Sequence, residues 1–222
     1  MSIAAATRVV LRPIANPLPL GFLALAAGTL LLSGLQLGWL ALEQGRDVGL
    51  ILLAFVFPLQ LVASVFGYLA RDVVAGTGMG VLSGTWLAIA LVTLTAPQPG
   101  ATSDALGLFL LLAGTAMLVP FAAATTGKLV PAAVLGTTAV RFAVTGLYQL
   151  TDASAWKHAA GIVGLLLLAV ALYAALALAL EDASGATVLP IARRGAGDDA
   201  LTGGLDEQVA GIQNAPGVRR QL

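Results

Sequence analysis

The chain has 222 residues, of which 59% are hydrophobic and 10% are charged, and its formal net charge is zero. Soluble domains carry about 25% charged residues, so this composition excludes a soluble globular protein and indicates an integral membrane protein. The neutral charge argues against nucleic acid as a partner, and the lack of cysteine excludes disulfides and thiolate metal sites. We expect neither a metal nor a cofactor.

The chain enters its first apolar run through the segment 16–21, with the sequence NPLPLG. Each proline fixes its own φ and pushes the residue before it out of the helical region, so this backbone is stiff and extended. A helix is expected to begin at about Pro19. Residues 1–15 form the predicted cytoplasmic N-terminal segment. Non-helical backbone near a bilayer is tolerated where protein covers it or where it lines a wet cavity.

Six apolar runs are long enough to cross a hydrocarbon core of about 30 Å, which takes roughly 20 helical residues. They lie at 19–42, 48–69, 78–96, 104–125, 129–150 and 156–180. The connections are short, so consecutive helices are expected to be antiparallel neighbours. We therefore predict an all-α, polytopic domain of six transmembrane helices over 16–191, followed by a disordered cytoplasmic tail over 192–222.

Lysine and arginine are distributed unevenly between the two sides of these spans. Eight lie on the side of both termini, whereas the other side has only Arg46 and Lys157. Cytoplasmic loops carry the excess of positive residues, so both termini are predicted to be cytoplasmic, in a protein of the inner (plasma) membrane.

Polar residues recur at helical spacing inside three of the spans. They are Thr29, Ser33 and Gln36 in the first, Gln60, Ser64 and Tyr68 in the second, and Thr137, Thr138, Arg141, Thr145, Tyr148 and Gln149 in the fifth. Such stripes face protein or water rather than lipid. Interhelical hydrogen bonds of about 0.6–2 kcal/mol each account for the serines and threonines.

Arg141 is harder to explain, because it lies roughly 16–20 Å from either end of its span at about 1.5 Å per residue. No Asp or Glu lies in the interior of a predicted span. A guanidinium matches a carboxylate with two parallel hydrogen bonds, so Arg141 is a candidate for binding or steering a small carboxylate. The alternative is an arginine held by backbone carbonyls and the neighbouring threonine hydroxyls.

Two motifs carry a resemblance to a known family. The segment NPLPLG resembles the Asn-Pro-x-Pro-Leu-Gly-Leu signature of the acetate uptake transporter family, with Phe22 at the last position. The segment 185–191, GATVLPI, is similar to the family's Gly-Arg-Thr-x-Leu-Pro-Ile after the sixth helix. Gln60, Trp86 and Tyr173 also match family residue types.

The resemblance implies a six-helix protomer in a homohexameric ring, in which each protomer has its own narrow path for small monocarboxylates such as acetate, and sometimes succinate. It implies transport linked to protons, with Leu25 and Phe55 at an apolar constriction. The candidate path residues are Asn16, Pro17, Pro19, Leu20, Gly21, Leu25, Phe55, Gln60, Thr138, Arg141, Ala171 and Tyr173. Two departures from the family are the lack of an acid near the end of the second helix and the presence of Arg141.

The sequence is therefore interpreted as a proton-coupled transporter for acetate or a similar small carboxylate. Metalloprotease, nucleophile-elbow and Walker-type motifs are missing from the chain, so no enzymatic activity is expected. One alternative is a passive channel for another small solute or anion. A second is a non-transporting membrane sensor or scaffold that signals through the tail.

Overall fold

The computed structural model describes residues 14–195 and 198. In this part of the chain six helices are long and apolar enough to cross a membrane. They are α1 (Leu18–Leu37), α2 (Leu42–Leu69), α3 (Val73–Thr95), α4 (Asp104–Ala124), α5 (Leu129–Thr151) and α6 (Ser154–Ser184). The prediction of an all-α membrane protein with six spans is confirmed. The predicted N-terminal segment up to residue 13 and most of the predicted tail lie outside the described residues.

The six helices form a closed ring. Each helix packs against the next one along the chain, and α6 packs along α1. Because consecutive helices are antiparallel, α1, α3 and α5 run in one direction. Their C-terminal ends meet at the connections 38–41, 96–103 and 152–153, which we call the outer end, following the predicted orientation. The opposite end is called the inner end.

The first helix is shorter than predicted. It was expected to continue to residue 42 but ends at Leu37, because Gly38 adopts a left-handed conformation with φ 76°. Glycine takes this conformation without steric cost and commonly ends helices. The predicted connection at 43–47 is consequently helical, since a short 3-10 turn at Leu42–Gln44 opens α2.

Helix α2 is irregular where the sequence places a proline. Its backbone is π-helical over Leu52–Val56 and returns to α-helix at Phe57–Leu69. Pro58 has no N–H to donate to the preceding turn, and π-helical turns are one way in which a helix absorbs such a defect. Ser83 of α3 donates to the carbonyl of Phe57 at 3.1 Å. The irregular stretch before Pro58 is therefore stabilised by a hydrogen bond from the neighbouring helix α3.

Residues 185–195 fold back after α6 onto the start of α5, and we call this segment the C-terminal clasp. The carbonyls of Ile191 and Ala192 accept hydrogen bonds from the N–H groups of Val130 and Leu129 at 3.2 and 3.1 Å. These N–H groups belong to the first turn of α5, which has no partners within its own helix. Residues 192–195 were assigned to a disordered tail, but the structure binds them to the inner end of the ring.

Side chains of α6 bind the C-terminal clasp through an ion pair and hydrogen bonds. Glu181, near the end of α6, pairs with Arg193 and also accepts from Thr187 at 3.2 Å. The hydroxyl of Tyr173 donates to the carbonyl of Pro190 at 2.8 Å. Ile191 is almost completely buried. The motif at 185–191 thus has a structural role in joining α5 to α6.

Replacing Glu181 by Gln should weaken the clasp. The substitution removes a charge-assisted pair from a largely buried position, so we expect the free energy of unfolding to fall by about 1–3 kcal/mol. The measurement is thermal unfolding of the purified protein in detergent. Asp182→Asn is the matched control, because Asp182 is exposed one position further along α6. Equal melting temperatures for Glu181→Gln and the wild type would contradict a stabilising clasp.

The predicted orientation can be tested by cysteine labelling, since the natural chain has no cysteine. Gln98 lies exposed at the outer end and Thr126 lies exposed at the inner end. In right-side-out membranes, an impermeant maleimide should label Gln98→Cys and should reach Thr126→Cys only after the membrane is permeabilised. The reverse pattern would overturn the prediction of cytoplasmic termini.

Candidate functional site

A cavity of about 330 Å³ lies at the outer end, where all six helices contribute to its wall. The cavity therefore lies inside the ring of helices rather than on its outer surface. Its rim holds Arg46 and Lys157, the two cations predicted for this side, together with Glu43. Its deeper wall includes Gln36 from α1 and Thr145 from α5. Excess positive charge at the mouth of a cleft raises the local concentration of small anions.

Arg141 lies deeper in the ring than this cavity and is not part of its wall. Helices α1 and α5 run in the same direction, with Ser33 three residues before Gln36 and Arg141 four residues before Thr145. At about 1.5 Å per residue, Ser33 and Arg141 are therefore roughly 4.5–6 Å deeper than the cavity wall. Arg141 is only 3% exposed.

Gly164 of α6 is the point at which Ser33 and Arg141 meet. Helix α6 packs between α1 and α5, so a side chain at this position would separate them. A Cβ on Gly164 would overlap Ser33 Oγ and would lie 2.8 Å from Arg141 Cζ and 3.0 Å from Nη2. The absence of a side chain at Gly164 leaves the space that the guanidinium occupies.

Several polar atoms here have no hydrogen-bond partner among the described residues. They are Nη1 and Nη2 of Arg141, Oγ of Ser33 and Oε1 of Gln36. Buried polar groups are almost always paired, and an unpaired buried cation is especially costly. We call Ser33, Gln36, Arg141 and Gly164 the Arg141 pocket. The unpaired Arg141 nitrogens are donors that a small anion could accept from, which makes this pocket a candidate anion site.

The nearby threonines do not hold the guanidinium. Thr145 donates to the carbonyl of Arg141 at 2.7 Å, and Thr138 donates to the carbonyl of Val134 at 2.8 Å. Both hydroxyls donate within α5, and neither accepts a hydrogen bond from the terminal nitrogens of Arg141. Thr29 of α1 donates instead to the carbonyl of Gly164 at 3.3 Å, which ties α1 to α6 beside the pocket. The alternative in which threonine hydroxyls neutralise Arg141 has no support in this geometry.

The predicted polar stripes are confirmed as protein-facing, with one exception. All members in α1 and α5 are buried or half-buried, and so are Gln60 and Ser64 in α2. Tyr68 is the exception at 54% exposure, although its hydroxyl lies 3.0 Å from Thr77 Oγ1.

Towards the inner end, three of the predicted path residues are buried in the protein. Leu25, Thr138 and Ala171 are fully buried. Leu25 is two turns from Ser33 on α1, and Ala171 is two turns from Gly164 on α6. Both positions therefore lie on the inner side of the Arg141 pocket.

The proline-rich segment forms the inner start of α1. Asn16 Oδ1 accepts from the N–H of Leu18 at 3.0 Å, and α1 begins at Leu18, one residue before the predicted start. Gln60 of α2 is completely buried and donates to the carbonyl of Gly21 at 3.2 Å. Pro17 and Pro19 are half-buried beside them. These contacts fix how α1 enters the ring.

Three predicted path residues lie elsewhere. Phe55 is 49% exposed on the outward face of α2, Tyr173 is 39% exposed and binds the clasp, and Leu20 is 37% exposed. The structure therefore does not bring Phe55 together with Leu25, and a gate of these two residues has no support within the protomer. Helical spacing identifies residues on one face, but it does not identify which apolar face turns inward.

Sequence reasoning assigned no path role to Ser33, Gln36 or Gly164. Ser33 and Gln36 belong to the polar stripe of the first span, whereas Gly164 lies in no such stripe. The available signal was that the stripes of the first and fifth spans belong to parallel helices, which brings polar residues to the same depth. Among the described residues, no group of His, Asp or Glu could hold a metal ion.

A closed ring of six membrane spans, with a cavity at one end and an unpaired guanidinium beneath it, defines a multi-pass membrane protein with an internal polar site. The model of the GPR1/FUN34/yaaH family matches residues 3–192. The chain belongs to this family. The resemblance inferred from the two terminal motifs is thereby confirmed.

Individual relatives agree with this assignment. The SatP proteins of Escherichia coli K12 and Shigella flexneri, named succinate-acetate/proton symporters, are each 30% identical over 185 residues, 80% of this chain and 95% of the relative. A solved structure described as the bacterial acetate channel SatP matches with a TM-score of 0.71 at 27% identity, covering 80% of this chain and 99% of that chain. These relatives are named as transporters or a channel and not as enzymes.

Gly164→Ala should disrupt the Arg141 pocket. The added Cβ would overlap Ser33 Oγ and crowd the guanidinium, so we expect a lower melting temperature for the purified protein in detergent. Adding Ser33→Ala should recover part of the loss, because it removes the overlapping atom.

Gly84→Ala is the matched control for Gly164→Ala. Nothing lies within 4 Å of a Cβ at Gly84, and alanine is favoured over glycine inside helices by about 0.5–1 kcal/mol. We expect this variant to melt at or slightly above the wild-type temperature. If Gly164→Ala behaved in the same way, the close approach at Gly164 would be contradicted.

Proposed function

We propose that the protein transports acetate or a similar small carboxylate across the inner membrane, through the interior of its own ring and together with a proton. The observation that carries this proposal is the unpaired guanidinium of Arg141 beneath a cavity whose rim holds Arg46 and Lys157. The names of the SatP relatives support the same class of solute. Succinate is proposed as a second substrate on the same ground.

The path has three stages in this proposal. A carboxylate enters the outer cavity, where the rim cations attract it. It then replaces the missing partners of Arg141, whose two terminal nitrogens fit the two oxygens of a carboxylate. Beyond the pocket it passes the buried positions Leu25, Thr138 and Ala171 and leaves at the inner end, near Gln60 and the segment 16–21.

We assign the proton to the substrate's own carboxyl group. The buried charged residues in the described part of the chain are Arg141 and Glu181, and Glu181 is paired with Arg193. His158 is exposed, with its Nδ1 2.8 Å from the carbonyl of Ser154. A neutral acid crosses an apolar constriction at much lower cost than a carboxylate, because burying an unpaired charge is expensive.

A homohexamer is proposed from the family resemblance. The outward faces of the helices carry many exposed apolar side chains in the single protomer, including Phe55, Leu61 and Phe66 of α2. In a hexamer some of these would pack between protomers while the remainder faced lipid. Phe55 would then lie at or near a subunit interface rather than inside the path.

A passive channel is the second candidate, favoured by the solved relative described as an acetate channel. The two candidates differ in their driving force. A symporter accumulates acetate when an inward proton gradient is imposed, whereas a channel brings the anion only to its own electrochemical equilibrium. A sensor or scaffold, the remaining alternative, would not transport acetate at all.

The test is uptake of labelled acetate into proteoliposomes, with and without an inward proton gradient, compared with protein-free liposomes because acetic acid crosses bilayers unaided. We expect saturable uptake stimulated by the gradient. Arg141→Gln should lower the saturable component at least about tenfold, which corresponds to about 1.4 kcal/mol, within the range for lost charge-assisted hydrogen bonds.

Arg194→Gln is the control for removal of a positive charge, since Arg194 is exposed at the inner end, away from the pocket. It should retain saturable uptake. Uptake no faster than in protein-free liposomes would reject acetate as a substrate. Uptake that saturates but ignores the proton gradient would favour the channel, and uptake unaffected by Arg141→Gln would remove Arg141 from the path.

A further inference from the structure

We infer that the cavity at the outer end is a binding site for a straight-chain monocarboxylate of about five to eight carbons, such as hexanoate, whose tail lies in the cavity and whose carboxylate stays at the rim. The inference goes beyond the proposed function, because this binding does not require that a solute crosses the membrane. All the groups on which it rests line the same cavity.

A large part of the cavity wall is apolar. Three helices supply it, through Leu32 and Leu35 of α1, Ile89 and Val92 of α3, and Leu106 and Leu110 of α4. Acetate has a single methyl group and would leave most of this wall in contact with water. A longer hydrocarbon chain would cover the wall, and the removal of apolar surface from water favours binding.

The depth of the apolar wall fits a chain of several carbons. Ile89 lies six residues before the end of α3, and Leu110 lies six residues after the start of α4. At about 1.5 Å per residue, the wall therefore extends roughly 9 Å inward from these helix ends. A straight chain of six carbons is slightly shorter than this depth.

The volume of the cavity is also larger than acetate requires. It is about 330 Å³. A water molecule takes about 30 Å³ in the liquid, so the cavity has room for roughly eleven groups of that size. Acetate has four non-hydrogen atoms, whereas hexanoate has eight and octanoate has ten. The longer acids therefore fill the cavity much better than acetate does.

The rim supplies the positive charge that a carboxylate needs. Arg46 is exposed and Lys157 is half-buried, and neither forms an ion pair within the described part of the chain. Glu43 is also exposed at this rim, so the three residues together carry a net positive charge. A carboxylate at the rim meets the two cations and keeps its contact with water, which avoids the cost of burying a charge.

The polar residues further along the wall do not attract the carboxylate inward. Thr145 donates its hydroxyl to the carbonyl of Arg141, and Gln149 accepts from the N–H of Ser103 at 2.8 Å. Gln36 is neutral. Arg46 and Lys157 are the two cations among the residues that line the cavity. The charge therefore favours a ligand whose head is at the rim and whose tail points inward.

The test is the binding of labelled hexanoate to the purified protein in lipid nanodiscs at pH 7.5, with protein-free nanodiscs as the blank for partition into lipid. Unlabelled acetate and 1-hexanol compete, since acetate has the charge without the tail and hexanol has the tail without the charge. We expect saturable binding that is at least about tenfold tighter than that of either competitor, because each buried methylene contributes up to about fourfold. Hexanoate that binds no tighter than acetate, or no tighter than hexanol, would overturn the inference.

Ala96→Leu tests the placement of the tail. Ala96 is half-buried in the cavity wall, and its extended backbone, with φ −57° and ψ 137°, accepts leucine. The larger side chain takes space from the tail, so hexanoate should bind about fivefold more weakly while acetate is unaffected. Ala41→Leu is the matched control, because Ala41 is exposed and extended at the same end of the ring but does not line the cavity. Equal hexanoate affinity in the two variants would contradict a tail inside the cavity.

The rim charges are tested by substitutions of opposite sign. The double variant Arg46→Gln, Lys157→Gln should weaken hexanoate binding by about threefold to tenfold, a modest loss because exposed charges are screened by water. It should leave hexanol unchanged. Glu43→Gln should strengthen hexanoate binding. Hexanoate affinity that is the same in both variants and in the wild type would contradict a carboxylate at the rim.

These binding measurements separate the inference from the proposed function, since they need no transport. If hexanoate binds with the expected preference but no saturable acetate uptake occurs, the site for the longer acid stands and acetate transport fails. If acetate uptake is saturable and depends on Arg141 while hexanoate binds no tighter than acetate, transport stands and the inference fails.

Discussion

A buried positive charge without a partner is the constraint on which the interior of this protein depends. Arg141 lies deep in the ring, and its terminal nitrogens have no hydrogen-bond partner in the described part of the chain. Such a charge destabilises the fold unless water or an anion compensates it. The guanidinium lies deeper in the ring than the cavity at the outer end, and the absence of a side chain at Gly164 leaves the space that it occupies.

The two family motifs make contacts that hold the helices of the ring in place. Asn16 caps the start of α1, and Gln60 holds the carbonyl of Gly21, so the proline-rich segment sets the position of α1 in the ring. The clasp sets the position of α5 in a similar way, because the carbonyl of Ile191 accepts a hydrogen bond from the first turn of α5. Helices α1, α5 and α6 are the three that surround the Arg141 pocket. Both motifs therefore bear on its geometry through these helices.

The sequence predicts some of these features well and others poorly, for identifiable reasons. Long apolar runs and short connections suffice for six spans, and a lone arginine far from both ends of a span marks the interior site. The end of α1 at Gly38 was missed because the apolar pattern continues beyond it. The sequence does not indicate that Phe55 and Tyr173 are partly exposed in the protomer, because an apolar helix shows no contrast between the face that meets lipid and the face that meets protein. Gly164 has no side chain and therefore shows no pattern in the sequence. Its role is visible only in the structure, where Ser33 and Arg141 both lie close to it.

The strength of the Arg141 pocket must remain moderate if it serves transport. A site with several cations would hold a carboxylate tightly and release it slowly, whereas a single guanidinium gives one pair of strong hydrogen bonds. Moving on from Arg141 towards Leu25 means leaving those bonds for apolar surroundings, a step that a carboxylate resists and a protonated acid resists less.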